Sequence, residues 1–158
     1  MEHFSYISFD FQGRIKRRTW LLFSLIIAVA GYFTELLVRR AFGLPDTQNL
    51  PGSPFLWDYL GDQTSLLSAL IFLWPSLAID VKRWHDLGRS GWNTLIIYVP
   101  SLLLFALAAM GQGGTTAHPD PLIAVLLYFF GLILLGYFIV LAARKGMPAA
   151  NRFGPPPS

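Results

Sequence analysis

Four apolar blocks, each close to the length of a bilayer crossing and separated by charged or Gly/Pro-rich segments, constrain this chain more than any motif in it. The first, "TWLLFSLIIAVAGYFTELLV", occupies 19–38; the others occupy 65–81, 92–110 and 122–143. A helix needs roughly 20 residues to cross ~30 Å of hydrocarbon. Each block therefore predicts a transmembrane helix, and residues 1–158 predict a single all-α, polytopic membrane domain of four transmembrane helices. A soluble core does not fit: 54% of the residues are hydrophobic and 13% charged, against about a quarter charged in soluble domains. The start of the first block imitates a secretory signal, with cations before an apolar run and "AVA", but the run continues past Ala30, which argues for a retained helix.

Proline interrupts two of the blocks, Pro75 in the second and Pro100 in the third. Each removes a helical hydrogen bond and predicts a kink that neighbouring helices must accommodate. The fourth block is the most apolar, and its Gly131 and Gly136 offer a place for another helix to approach, although their spacing of five is not that of a dimer motif.

Cation placement predicts orientation. Arg14, Lys16, Arg17 and Arg18 precede the first block, Lys82, Arg83 and Arg89 fill the middle connection, and Arg144, Lys145 and Arg152 follow the last. That places ten of the 12 Lys and Arg on one side. The other two, Arg39 and Arg40, close the first helix, where Arg39 can pair with Glu35. The far side carries Asp46, Asp58, Asp62 and Asp120. By the positive-inside rule, the N-terminus, the C-terminus and the middle connection are cytoplasmic. Trp20, Trp84 and Trp92 sit at the inner boundary, as amphipathic rings prefer. The stretch "PFLWDYL" before the second block reads as lying along the outer interface, the leader "HFSYISFDF" as interfacial or disordered, and "GQGGTTAHPDP" as a short external loop.

Three segments thus converge on the basic side: "FDFQGRIKRRTW", "KRWHDLGRSGW" and "NRFGPPPS". Their order and content, with Phe11, Gly13, Arg14, Arg17 and Trp20, then Lys82, Arg83, His85, Asp86, Arg89, Ser90, Gly91 and Trp92, then Asn151, Phe153, Gly154 and Pro155, resemble the bacterial inner-membrane family called domain of unknown function 805. Lys82 stands where that family typically has arginine and Trp84 where it has leucine. A lysine keeps the charge but lacks the planar fork. The resemblance implies a small multispanning protein of the bacterial inner (cytoplasmic) membrane and brings no established activity.

Chemistry at these segments has several readings. His85 and Asp86 could form an acid/base pair, but side chains adjacent in a chain usually point apart. A metal site lacks a ligand set, because there is no Cys and the other histidines, His3 and His118, fall in the leader and an external loop. Nucleic-acid binding has cations and aromatics but no recognisable module. A transporter could use the Pro-interrupted helices, yet the only ionisable residues in the spans, Glu35 and Asp80, lie near their ends. Cations that only set topology, neutralised as Asp80 with Arg83 or Asp86 with Arg89, explain any single charge but not the whole constellation.

The reading that uses all three segments is anion binding. Arginine matches phosphate or carboxylate in a two-pronged geometry, and Ser90 is a good cap for a helix start that itself attracts anions. The expectation is therefore a non-enzymatic accessory or interaction subunit of a larger membrane complex, without cofactor. Arg14, Arg17, Arg83, Arg89 and Arg152 contact anionic lipid headgroups or an acidic partner surface, while His85, Asp86, Ser90 and Asn151 brace the loop. Its partners would be the phospholipid bilayer and other membrane-protein subunits, with no nucleic acid. A small transporter and a membrane-embedded enzyme acting on lipid phosphates are the alternatives.

Overall fold

The computed structural model describes residues 10–44, 54–61 and 63–157. The leader before Asp10, together with Asp46 and Asp62, lies outside the described residues. The helices are α1 (Arg17–Phe42), α2 (Phe55–Leu60), α3 (Gln63–Asp86), α4 (Leu95–Ala109) and α5 (Pro121–Ala143), with a 3-10 turn (Gly91–Thr94) leading into α4. Among the described residues there is no β-strand, only isolated bridges. Four helical stretches are long and apolar enough to cross a membrane: Arg17–Phe42, Thr64–Asp86, Gly91–Ala109 and Pro121–Ala143. Their outer faces are apolar, with Leu25 62% exposed, Leu37 67% and Leu122 66%. Such surfaces suit hydrocarbon, and contiguous patches of this kind are rare on soluble monomers.

Helix boundaries extend beyond the apolar blocks. α1 runs through Arg39 and Arg40, where Arg39 Nη2 pairs with Glu35 Oε1 at 3.1 Å. It ends at Gly43, whose φ of 62° lets the chain turn and the Leu44 N–H bond the Arg39 carbonyl. The larger correction is in α3. It continues through Pro75 to Asp86, so Lys82, Arg83, His85 and Asp86 are helical and only 87–90 connect it to the 3-10 turn. Gly88, at φ 71°, makes that short turn possible. α4 likewise runs unbroken through Pro100. α5 opens with Asp120, which accepts hydrogen bonds from the Leu122 and Ile123 N–H groups at 2.9 and 3.1 Å, and with Pro121 at its first position.

Two apolar clusters hold the bundle. At the end away from the basic segments α2 buries Leu56 completely against Leu104, Ala108 and Phe130 of α4 and α5. At the basic end Ile15, Trp20, Ile79, Tyr137 and Leu141 form the second cluster. Between them α1 and α3 approach closely at Gly31, whose carbonyl accepts from the Ser68 hydroxyl at 2.9 Å. Gly131 and Gly136 make no comparable approach, for a Cβ added at either meets nothing within 4 Å.

Candidate functional site

At the basic end Asp86 receives two arginines. Gly13, at φ 85°, turns the chain so that Arg14 lies ahead of α1 and reaches across to the end of α3. Its Nε and Nη2 donate to Asp86 Oδ1 at 3.2 and 3.0 Å. Arg83, one turn before Asp86 on the same helix face, donates from Nη1 to Oδ2 at 2.5 Å. All three side chains are buried, Arg83 completely. Two guanidinium groups and one carboxylate leave the cluster a net positive charge. Further acceptors disperse it.

Those acceptors are backbone carbonyls at the end of the chain. Arg83 donates from Nε to Leu141 O at 2.9 Å and from Nη2 to Arg144 O at 2.5 Å. The last carbonyls of a helix have no partner within it and carry partial negative charge; Arg83 therefore serves as the side-chain cap of α5. Arg14 Nη1 donates to Ala149 O at 2.9 Å and Gly154 O at 3.3 Å, and its Nη2 also reaches the Met147 carbonyl. One arginine thus gathers the tail and the other the last helix.

The tail is also fastened to the end of α3. Met147 N–H donates to Asp86 O at 2.9 Å, and Asn151 Nδ2 donates to His85 O at 2.9 Å. Asn151 Oδ1 in turn accepts from the Phe153 N–H at 2.9 Å, which sets Phe153 flat on the His85 ring at 3.8 Å and 7°. His85 Nδ1 lies 3.2 Å from Gly13 O, so the imidazole bridges the turn before α1 and the tail. Gly146 is required where the tail passes over Asp86, because an added Cβ there collides with the carboxylate.

One layer deeper, Asp80 joins all four long helices. Its Oδ1 accepts from Trp20 Nε1 of α1 at 2.7 Å, and its Oδ2 from the hydroxyls of Tyr98 of α4 and Tyr137 of α5, each at 3.2 Å. Trp84 Nε1 donates to the Tyr137 hydroxyl at 3.1 Å. This hub was not singled out by sequence reasoning, which paired Asp80 with Arg83. The available signal was a carboxylate inside an apolar block, with a tryptophan and tyrosines at matching depth in the other blocks.

The sequence-derived site residues therefore divide. Arg14, Arg83, Asp86, His85 and Asn151 come together in one interlocked knot. Arg17, Arg89 and Arg152 are exposed and stand outside it; the Arg152 guanidinium lies 4.6 Å over Phe153. Ser90 accepts from the Trp92 N–H at 3.4 Å, the capping arrangement expected of it. Asp86 pairs with Arg83 and Arg14 rather than with Arg89, because Arg89 lies beyond the Gly88 turn. Among the described residues no group of His, Asp and Glu is arranged to hold a metal ion.

Comparison with known proteins agrees with this architecture. The chain is 31% identical to the uncharacterized protein YiiR of Escherichia coli (strain K12) over 147 residues, 92% of this chain and 84% of that protein. It is 25% identical over 147 residues to the inner membrane protein YhaH of the same organism, covering 93% of this chain and 86% of YhaH. With the inner membrane protein YhaI it shares 31% identity over 116 residues, 70% of this chain and 85% of YhaI. No solved structure matches the chain. With four helices able to span a bilayer and relatives named for the inner membrane, the protein is a multi-pass inner-membrane protein. Residues 8–155 match the family described as Protein of unknown function (DUF805), and the chain belongs to that family.

Proposed function

We propose that the protein is a non-enzymatic accessory or interaction subunit of a larger membrane complex, with both termini and the middle connection in the cytoplasm and a basic face that holds anionic lipid headgroups or an acidic partner surface. The observation that carries this reading is the separation of charge at the end where the three motif segments meet. Asp80 and Asp86 are buried there and Asp10 is half-buried, whereas Lys16, Arg17, Arg18, Arg89, Arg144, Lys145 and Arg152 are exposed. Among the described residues, no exposed carboxylate at that end offsets them. Arg14 and Arg83 hold an internal anion, Asp86, and the external anion falls to Arg17, Arg89 and Arg152. Fixing three chain segments by a buried knot gives those cations a rigid base, which limits the ordering cost of binding.

Affinity purification in mild detergent, with mass spectrometry of what accompanies the protein, tests this. Recurrent protein partners whose recovery falls when Arg89 and Arg152 are replaced by Gln support the subunit reading. Repeated recovery of the chain alone contradicts it.

A further inference from the structure

The exposed cations are not spread evenly over the basic end. Lys16, Arg17 and Arg18, at the start of α1, and Lys145, just past the end of α5, line one open groove of about 480 Å³. That volume lies within the roughly 300–1,000 Å³ usual for small-molecule sites. Asp86 contributes to its wall, but that carboxylate already accepts from Arg14 and Arg83. Pro156 and Pro157 form a stiff side of the groove. None of the four cations forms an ion pair with a described residue. The groove therefore presents four positive charges to a single occupant.

Its position selects the occupant's chemistry. The groove opens at the ends of the first and last spanning helices, where the chain leaves the hydrocarbon and headgroup phosphates lie. Directly along α1 from Arg17, at intervals of four residues, come Leu21 and Leu25, exposed by 37% and 62%. Residues spaced in this way share a helix face. On the neighbouring α5, Phe138 is 49% exposed and its ring stacks obliquely on Trp20 at 5.5 Å. Exposed apolar side chains on both helices thus lie on the membrane side of the polycationic head site.

We propose that this groove binds a phospholipid whose headgroup carries two phosphates, the phosphates held by Lys16, Arg17, Arg18 and Lys145 and the acyl chains lying along Leu21, Leu25 and Phe138. A single phosphodiester leaves most of the four charges unmatched. Two phosphates in one headgroup double the charge matched, one phosphate to each pair of cations, without the cost of ordering two separate lipids. The proposal deepens the reading of a basic anion-holding face and rests on it.

The test uses the full-length protein in nanodiscs of phosphatidylcholine with 10 mol% or so of either cardiolipin or phosphatidylglycerol, followed by native mass spectrometry of retained lipid. The wild type is expected to retain cardiolipin at least about tenfold over phosphatidylglycerol, as counterpart charges at headgroup depth require. Arg17→Gln with Lys145→Gln is expected to abolish that preference, and Arg40→Gln, at the opposite end, to leave it intact. Unchanged melting temperature in the double variant separates lost binding from lost folding, and Arg17→Lys with Lys145→Arg, which keep the charges, should restore retention. Equal retention of the two lipids by the wild type, or an unaffected double variant, overturns the proposal. If Arg89→Gln with Arg152→Gln lowers retention as much as the groove pair, the groove assignment fails while the broader basic face stands. Displacement of cardiolipin by millimolar pyrophosphate at equal affinity assigns the groove to a soluble anion and also overturns the lipid.

Discussion

Arg14 and Asp86 stand 72 residues apart in the chain, yet the guanidinium donates two hydrogen bonds to one carboxylate oxygen in a buried site. Arg83 holds the other oxygen. Removing the carboxylate would leave two buried cations uncompensated, a change that costs about 3–5 kcal/mol when one partner of a buried pair is lost. Asp86→Ala is accordingly expected to lower the detergent melting temperature sharply and to expose the tail after Ala143 to limited proteolysis. An unchanged melting temperature would remove the knot from the list of stabilising features.

Arg83→Lys separates geometry from charge. If this cation served only to orient the helices, lysine would replace it without loss, because the positive-inside rule counts both residues alike. The structure makes Arg83 a three-way donor to Asp86, Leu141 O and Arg144 O. Lysine lacks the fork, and loss of a hydrogen bond involving a charged group costs roughly 1.5–3 kcal/mol. Unfolding in detergent should show destabilisation in that range with topology unaltered.

Asp80 predicts a graded series. Asp80→Asn keeps an acceptor for Trp20, whereas Asp80→Ala strands the indole N–H and both tyrosine hydroxyls. Each buried polar group left without a partner costs about 1–3 kcal/mol. Thermal melts should rank wild type above Asn and Asn well above Ala; equal effects for the two substitutions would mean that the hub contributes little through hydrogen bonding.

Glycine substitutions provide an internal comparison. Gly146→Ala drives a methyl group into the Asp86 carboxylate and should destabilise by about 1–3 kcal/mol, as overpacking does. Gly131→Ala and Gly136→Ala place their methyl groups in open space inside a helix and should leave stability unchanged or raise it by up to about 1 kcal/mol, the helix-propensity gain of Ala over Gly. Melting curves of the three variants in the same detergent decide the matter.

The spans were legible in the sequence because crossing a bilayer demands length and apolarity together, and "LIAVLLYFFGLILLGYFIVLAA" has both. The end of α3 was not. Lys82 to Asp86 is charged enough to resemble a loop, and only the tertiary partners in the segment before α1, α5 and the tail make burial of those groups tolerable. Local spacing offered Asp86 a choice of Arg83 or Arg89 at equal distance along a helix; the turn at Gly88 excludes Arg89, and no short-range rule shows that Arg14 takes the other oxygen. The tail motif was recognisable by resemblance, but its physical purpose emerges only when Asn151 is seen on His85 O and Phe153 on the His85 ring.

The proposed function requires the three basic segments to emerge together in the cytoplasm. The chain contains no cysteine, so single substitutions Gln12→Cys, Ser90→Cys and Pro155→Cys can each be probed with a membrane-impermeant maleimide in intact and permeabilised spheroplasts. All three positions should label only after permeabilisation. Labelling of any one of them from outside, with the others protected, would contradict the account.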